Sequence, residues 1–124
     1  MKDKDRIVLQ KMDKYIQEIL QYANGLDFED FVNDNKTVNA TAFLIGQLGE
    51  LSTHISADVK EDNPQIPWKS MKGIRNKIVH EYENVDLAVL WGTVARSLPE
   101  LSALIKESLA REASSAIEFD DHDS

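Results

Sequence analysis

The segment "MKGIRNKIVHEY", Met71 to Tyr82, combines side chains that could bind a phosphate group with a histidine and a tyrosine. Residues 63–80 contain four lysine or arginine residues and no acid, whereas the rest of the chain contains ten basic and 22 acidic residues. The formal net charge is −8, which argues against broad adhesion to nucleic acid or anionic membranes. Any site for a polyanion is therefore expected to lie in this local basic segment.

A helix that begins near Trp68 would divide the basic segment into two faces. The apolar face would contain Trp68, Met71, Ile74 and Ile78, and the polar face Lys69, Lys72, Asn76 and His80. The polar residues fall within an arc of about 80° at 100° per residue. This polar face could contact phosphate, although a solvated helix surface with an ordinary histidine explains the same pattern.

Arg75 does not share this arc. A five-residue offset places it about 140° from His80 on an ideal helix. The two side chains converge only if the helix distorts or ends between them, if long side chains bend around the helix, or if a second subunit supplies one of them.

Length and composition favour one compact domain. The chain has 124 residues, of which 42% are hydrophobic, and contains no cysteine. The absence of cysteine excludes disulfides and cysteine-ligated zinc, and it fits a reducing compartment. The start, "MKDKDRIVLQKMDKY", lacks the apolar core of a signal peptide, and no apolar run reaches the length of a membrane span. We therefore predict a soluble cytoplasmic protein without a membrane partner.

Apolar residues recur at three- and four-residue steps, which predicts an all-α, antiparallel bundle of four to five helices. The predicted helices cover residues 3–24, 37–60, a shorter stretch from about 68, and 86–111. Thr37 is the predicted N-cap of the second helix, and Pro99 is expected to bend or loosen one turn of the last. Residues 1–111 form the predicted domain, and the acidic segment 112–124 is expected to be a disordered tail.

The stretch "RNKIVHEY" resembles the motif of the HEPN superfamily, and more closely that of the HepT-like toxins, which is Arg, four residues, His, one residue, Tyr. Arg75, His80 and Tyr82 occupy these positions, and Asn76 supplies the polar residue after the arginine. "FLIGQLGELS" resembles the Gly-Glu helix of the family, and "LWGTVARSLPELSALI" its final helix. The resemblance extends to about Arg111.

This resemblance implies a metal-independent ribonuclease that acts as a homodimer and needs no cofactor. His80 would transfer a proton to or from the RNA, because imidazole titrates in the useful range. Arg75 would stabilise the charge that develops on the phosphate, and Asn76 would orient the imidazole or contact the phosphate. The residues expected to attract the RNA backbone are Lys69, Lys72 and Lys77. If the two-fold axis runs beside this helix, both chains contribute to one cleft.

The resemblance also implies a toxin–antitoxin system, of the type VII kind, in which the antitoxin is an MNT-type nucleotidyltransferase. The tyrosine of the family motif accepts AMP groups from this partner, and Tyr82 matches it. An amphipathic tyrosine that packs its ring and exposes its hydroxyl is the ordinary alternative.

Other interpretations of the same residues remain open. A helical accessory subunit of a nucleotidyltransferase, or a nucleotide-binding domain without catalysis, would share this fold. Three histidines without His-x-x-His or HExxH spacing make a dedicated metal site improbable, so no metal is expected. Gly46 and Gly49 are best explained by close helix approach, and Glu50 by a structural or interface hydrogen bond.

Overall fold

The computed structural model describes the backbone of residues 1–123 and the side chains of residues 1–114, and this part of the chain is entirely helical. The α-helices are α1 (Asp3–Ala23), α2 (Phe28–Val32), α3 (Asn35–Ser52), α4 (Ala57–Asp62), α5 (Trp68–His80), α6 (Leu87–Gly92) and α7 (Leu98–Asp123). A 3₁₀ turn (Tyr82–Asn84) precedes α6, and a π-helical turn (Thr93–Ser97) follows it. The all-α prediction is confirmed for the described residues.

The core lies between α1, α3, α5 and α7. Helix α1 contributes four side chains with no exposed surface, which are Leu9, Met12, Ile16 and Ile19. They are spaced by three or four residues, so they form one stripe along the helix, as the periodicity predicts. Helix α3 packs against both α1 and α5, and α7 packs against α1. The long helices therefore hold α5, which carries the basic segment, against the rest of the domain.

The predicted helix over residues 37–60 is wrong, because α3 ends at Ser52 and α4 begins at Ala57. Asp5 of α1 accepts hydrogen bonds from the backbone N–H (2.9 Å) and the hydroxyl (2.7 Å) of Ser56, the residue that precedes α4. This carboxylate therefore fixes the turn against α1. Helical periodicity continues across the break, since Ile55 and Val59 are both buried, and so it could not reveal the turn.

The N-cap of α3 also differs from the prediction. Asp34, not Thr37, precedes the helix, and its carboxylate accepts hydrogen bonds from the Thr37 backbone N–H (3.1 Å) and hydroxyl (2.7 Å). The hydrogen bonds from the hydroxyl and backbone of Thr37 hold the pKa of the Asp34 carboxyl below its ordinary value, although partial desolvation acts in the opposite direction. Thr37 thus belongs to the first turn of the helix that it was expected to cap.

The loosened turn predicted near Pro99 is confirmed. Asp86 caps α6, and the π-helical turn Thr93–Ser97 lies immediately before α7. Proline has no N–H to donate, and its ring crowds the carbonyl four residues earlier, which favours such a local change of helical pitch.

Helix α7 continues beyond Arg111 without a break in secondary structure. The side chains of residues 115–124 lie outside the described residues, so the separate tail at 112–124 stays a prediction. Within the described part of the chain, no helix is both long enough and apolar enough to cross a membrane. The cytoplasmic location stays a prediction.

Candidate active site

The basic segment forms the continuous helix α5, with the two predicted faces. Met71 and Ile78 are buried, and Trp68 and Ile74 are half-buried against the core. All four residues of the polar face are exposed, namely Lys69, Lys72, Asn76 and His80, as is Lys77. These lysines and the asparagine make no side-chain hydrogen bond or ion pair among the described residues, so their polar groups are available to a ligand.

Gly49 allows α3 and α5 to pack with their backbones in close contact. A Cβ atom at this position would lie 2.6 Å from the carbonyl oxygen of Met71, and closer still to the Cβ of Arg75. At Gly46, one turn earlier in α3, an added Cβ atom would lie 3.4 Å from Cγ2 of Ile78, which is an ordinary contact distance. The predicted close helix approach is therefore confirmed, and its tightest point lies directly beneath Arg75.

This close contact brings Glu50 next to Arg75. The Arg75 Nε atom lies 3.3 Å from Oε2 of Glu50, and the other carboxylate oxygen lies 3.6 Å from Nε2 of His54. Arg75 is 23% exposed and Glu50 is 48% exposed. The buried Nε–H of Arg75 makes no hydrogen bond within the described residues, so its attraction to Glu50 is an ion pair without hydrogen-bond alignment. Glu50 thus holds the guanidinium group at the α3 side of α5.

His80 lies at the other side of α5, at its last residue. Its side chain is exposed and makes no hydrogen bond or ion pair with Arg75 or any other described residue. The helix runs unbroken from Arg75 to His80, and the backbone N–H of Glu81 still donates to the carbonyl of Lys77. The possibility that the helix ends or distorts between Arg75 and His80 is therefore excluded for this chain.

Tyr82 begins the 3₁₀ turn immediately beyond α5, and 43% of it is exposed. Its hydroxyl donates a hydrogen bond to Oδ1 of Asn39 in α3. The turn therefore returns the chain towards the N-terminal half of α3 while leaving the phenol accessible from solvent. Asn39 was not singled out by the sequence pattern, because nothing in the spacing connects it with Tyr82.

The N-terminal end of α5 is held by Asn63, which is 4% exposed. Its backbone carbonyl accepts a hydrogen bond from Nε1 of Trp68 (3.1 Å), and its side-chain oxygen accepts one from Nη2 of Arg111 (2.8 Å). The side-chain amide also donates to the Val59 carbonyl at 2.8 Å. The side-chain amide of Asn63 therefore connects α4 with α7, and its backbone carbonyl holds Trp68 at the start of the basic helix.

Two observations bear on alternative chemistry. No three His, Asp or Glu side chains of the described part come together in a way that could hold a metal ion. An apolar cavity of about 240 Å³ lies between α3, α5 and the π-helical turn, but its polar lining consists only of Ser70, Thr93 and Ser97. That cavity contains no titratable side chain, so it offers no acid or base.

Comparisons with known proteins show the family to which the chain belongs. A family model described as "Ribonuclease HepT-like" matches residues 12–108. A protein of Thermococcus cleftensis named "Probable ribonuclease HepT" is 37% identical over 101 residues, which cover 82% of this chain and 92% of the relative. A "Putative RNase" of Caldanaerobacter subterraneus subsp. tengcongensis is 32% identical over 105 residues, covering 79% of this chain and 94% of the relative. No solved structure matches.

An all-helical domain with a basic helix and this extent of similarity defines a HEPN-type ribonuclease. The chain belongs to the HepT-like ribonuclease family. The matched region includes Arg75, His80 and Tyr82, whose individual roles stay predictions. Sequence reasoning assigned Glu50 only a structural role, although it lies beside Arg75. The signal that could have found it is its position next to Gly49, since a glycine at a close helix contact brings the following side chain near the partner helix.

Proposed function

We propose that this protein is a metal-independent endoribonuclease in which Arg75 and His80 carry the reaction. The observation that supports this most strongly is the placement of Arg75. A glycine contact and a carboxylate hold its guanidinium group on the same short helix that exposes His80 and three lysines. A helix that served only as a solvated surface would not need a fixed, half-buried arginine.

The chemistry follows from the two side chains. The neutral imidazole of His80 removes the proton from a ribose 2′-hydroxyl, and the 2′-oxygen attacks the adjacent phosphorus. The bond from phosphorus to the 5′-oxygen breaks, the leaving oxygen takes up a proton from the His80 imidazolium or from water, and a 2′,3′-cyclic phosphate remains. Arg75 stabilises the additional negative charge on the phosphate, which a planar guanidinium contacts at two oxygens. Asn76 orients the imidazole or contacts the phosphate.

A homodimer would bring the two groups together. Arg75 and His80 project from different sides of an unbroken helix, so one cleft could combine Arg75 of one chain with His80 of the other. Val79 lies one turn after Arg75 and is 60% exposed, and Phe43 on α3 is 62% exposed. These apolar side chains on the α3 and α5 surface support a two-fold contact beside the motif.

Sedimentation tests this assembly. At micromolar concentration the wild type should have twice the 14.0 kDa mass of one chain. Val79→Asp should shift it towards monomer, whereas Val89→Asp, at an equally exposed valine (60%) on α6, should not. A wild type that sediments as a single chain across this range would remove the shared cleft.

Cleavage of total RNA in the presence of a chelator tests the catalytic assignment. His80→Ala should lower the rate by at least 10²-fold, the usual contribution of a proton-transfer group, and Arg75→Ala by a similar factor. His122→Ala and Arg96→Ala are matched controls that change the same residue types elsewhere, and both should cleave normally. Lys72→Ala should act mainly through weaker binding, with a shallower salt dependence. An inert wild type, or normal cleavage by His80→Ala, would favour the non-catalytic accessory role.

The proposed partner is an MNT-type nucleotidyltransferase antitoxin that transfers AMP from ATP to Tyr82. The exposed phenol supports this assignment, because a nucleotidyltransferase can reach its hydroxyl. The attached phosphodiester would place negative charge and bulk near the RNA path and repel substrate. Incubation with the partner and ATP should add AMP mass to the peptide containing Tyr82 and stop cleavage. Tyr82→Phe should stay unmodified and active, and an adduct on another residue would exclude Tyr82 as the acceptor.

A further inference from the structure

A small cavity lies beside Tyr82, between α3, the 3₁₀ turn and α6, and has a volume of about 240 Å³. Its apolar walls are formed by Val38, Ala42, Val85, Leu87 and Leu90. Ala42 and Leu90 are buried, whereas the polar lining residues, Asn39, Tyr82 and Glu83, are exposed. The cavity therefore has an apolar floor and a polar opening, and it is smaller than the sites that hold drug-sized molecules.

The polar groups at the opening offer hydrogen-bonding partners and an aromatic ring of the kinds that contact nucleosides. The Oδ1 atom of Asn39 accepts the hydrogen bond from the Tyr82 hydroxyl, while its Nδ2 makes no hydrogen bond among the described residues. An asparagine amide can pair with adenine by accepting from N6–H and donating to N7. The Glu83 carboxylate can accept hydrogen bonds from ribose hydroxyls, as acidic residues do in dinucleotide sites. The Tyr82 ring offers an aromatic surface on which a base can stack.

We propose that this cavity binds the adenine base of an adenylate. The inference rests on the proposed function in one respect, because the proposed modification attaches the same group to Tyr82. In that reaction the phenolic oxygen of Tyr82 attacks the α-phosphorus of ATP, the bond between the α-phosphorus and the bridging oxygen breaks, and pyrophosphate leaves. The phenolic proton passes to solvent or to a base of the nucleotidyltransferase.

Transfer of AMP to Tyr82 would remove the hydrogen bond that the Tyr82 hydroxyl donates to Asn39. Once Tyr82 is esterified, its oxygen no longer carries a hydrogen to donate, so Oδ1 of Asn39 loses its partner. Because an amide oxygen has two lone pairs, Oδ1 can accept from adenine N6–H in the unmodified protein as well, and after modification it has no competing donor; in both states Nδ2 can donate to N7. The base would leave solvent for apolar walls, which should hold the adenylate in one position on the protein surface.

A titration of free AMP into unmodified, methyl-labelled protein tests the cavity by NMR. AMP should shift the methyl signals of Val38, Ala42 and Leu90, and ribose 5-phosphate should not. GMP should bind at least tenfold more weakly, because it presents the O6 acceptor where adenine presents a donor. Asn39→Asp keeps the size of the side chain but loses the N–H donors, and should weaken AMP binding at least tenfold. Asn35→Asp makes the same change on the first turn of α3 and should bind as wild type.

The adenine site would be overturned if AMP leaves these methyl signals unmoved, if ribose 5-phosphate produces the same shifts, or if Asn39→Asp binds AMP like wild type. A second measurement uses protein adenylated by the nucleotidyltransferase, in which the same methyl signals should be shifted without free AMP. Unshifted signals in that sample would overturn the link to Tyr82. If Tyr82 accepts no AMP from the partner, the proposed modification fails, while the titration with free AMP still decides the cavity.

Discussion

Gly49→Ala should separate α3 from α5 and misplace Arg75. The new methyl group would lie 2.6 Å from the Met71 carbonyl oxygen and closer still to the Arg75 Cβ, whereas a methyl group at Gly46 would meet its nearest atom at 3.4 Å, so the helices must part by at least about 0.8 Å. Neither obstacle is the flexible end of a side chain, because one is a backbone oxygen and the other the Cβ of Arg75. The strain therefore cannot be relieved by changing a rotamer.

The change in the free energy of unfolding of Gly49→Ala is the sum of two opposing effects. Overpacking at a rigid contact lowers the free energy of unfolding by up to about 3 kcal/mol, and the better helix propensity of alanine raises it by about 1 kcal/mol. We therefore expect Gly49→Ala to lower the free energy of unfolding by about 2 kcal/mol. A displacement of Arg75 by close to 1 Å should also reduce RNA cleavage by roughly 10²-fold.

Urea denaturation followed by circular dichroism measures the first effect, and cleavage of total RNA measures the second. Gly73→Ala is the matched control, because a Cβ at Gly73 would meet no atom within 4 Å. That variant should be stabilised by up to about 1 kcal/mol, since only helix propensity changes. If Gly49→Ala proves as stable and as active as Gly73→Ala, the close α3–α5 contact does not exist as described.

Three further substitutions probe the elements that hold the site. Asp5→Asn should cost about 1–3 kcal/mol in urea denaturation, because the amide cannot accept both hydrogen bonds from Ser56. Burial alone would raise the pKa of Asp5, but the bonds from Ser56 hold it below 3.8, so its contribution should be present above pH 3.8, fade below that, and be absent from Asp5→Asn. Asn63→Ala should lower the free energy of unfolding by about 1–3 kcal/mol, since it removes the buried side-chain amide that connects α4 with α7. Glu50→Gln should lower kcat up to about fivefold with little change in KM, because a half-exposed ion pair that orients Arg75 contributes up to about 1 kcal/mol; an unchanged kcat would show that Glu50 does not orient the arginine.

Periodicity predicted the parts of the fold that depend on one helix burying one stripe. The stripe of α1, the two faces of α5 and the changed pitch before Pro99 all follow from local spacing and from the chemistry of proline. The break after Ser52 could not be predicted in this way, because it depends on a hydrogen bond between Asp5 and Ser56, which lie 51 residues apart. A buried stripe that continues across a turn looks the same in sequence as one long helix.

In the candidate site too, local spacing predicted the residues on one helix, but it could not predict their partners on another helix. The motif located Arg75, His80 and Tyr82 on or beside one helix, and the glycine spacing predicted a close helix contact, which in the structure lies beneath Arg75. The partners of these residues come from another helix, Glu50 for the arginine and Asn39 for the tyrosine, and no sequence spacing connects them. The angle between Arg75 and His80 is set within one helix, which is why it could be worked out from residue numbers.

Cleavage of a defined oligoribonucleotide under chelation, with analysis of the product ends, tests the assignment of metal-free chemistry to His80 and Arg75. The wild type should leave a 2′,3′-cyclic phosphate and a 5′-hydroxyl, and a 2′-O-methyl group at the scissile nucleotide should prevent cleavage there. His80→Ala and Arg75→Ala should give no such product while keeping their helical content. A 5′-phosphate product, cleavage next to the 2′-O-methyl group, or full activity in either variant would contradict the mechanism.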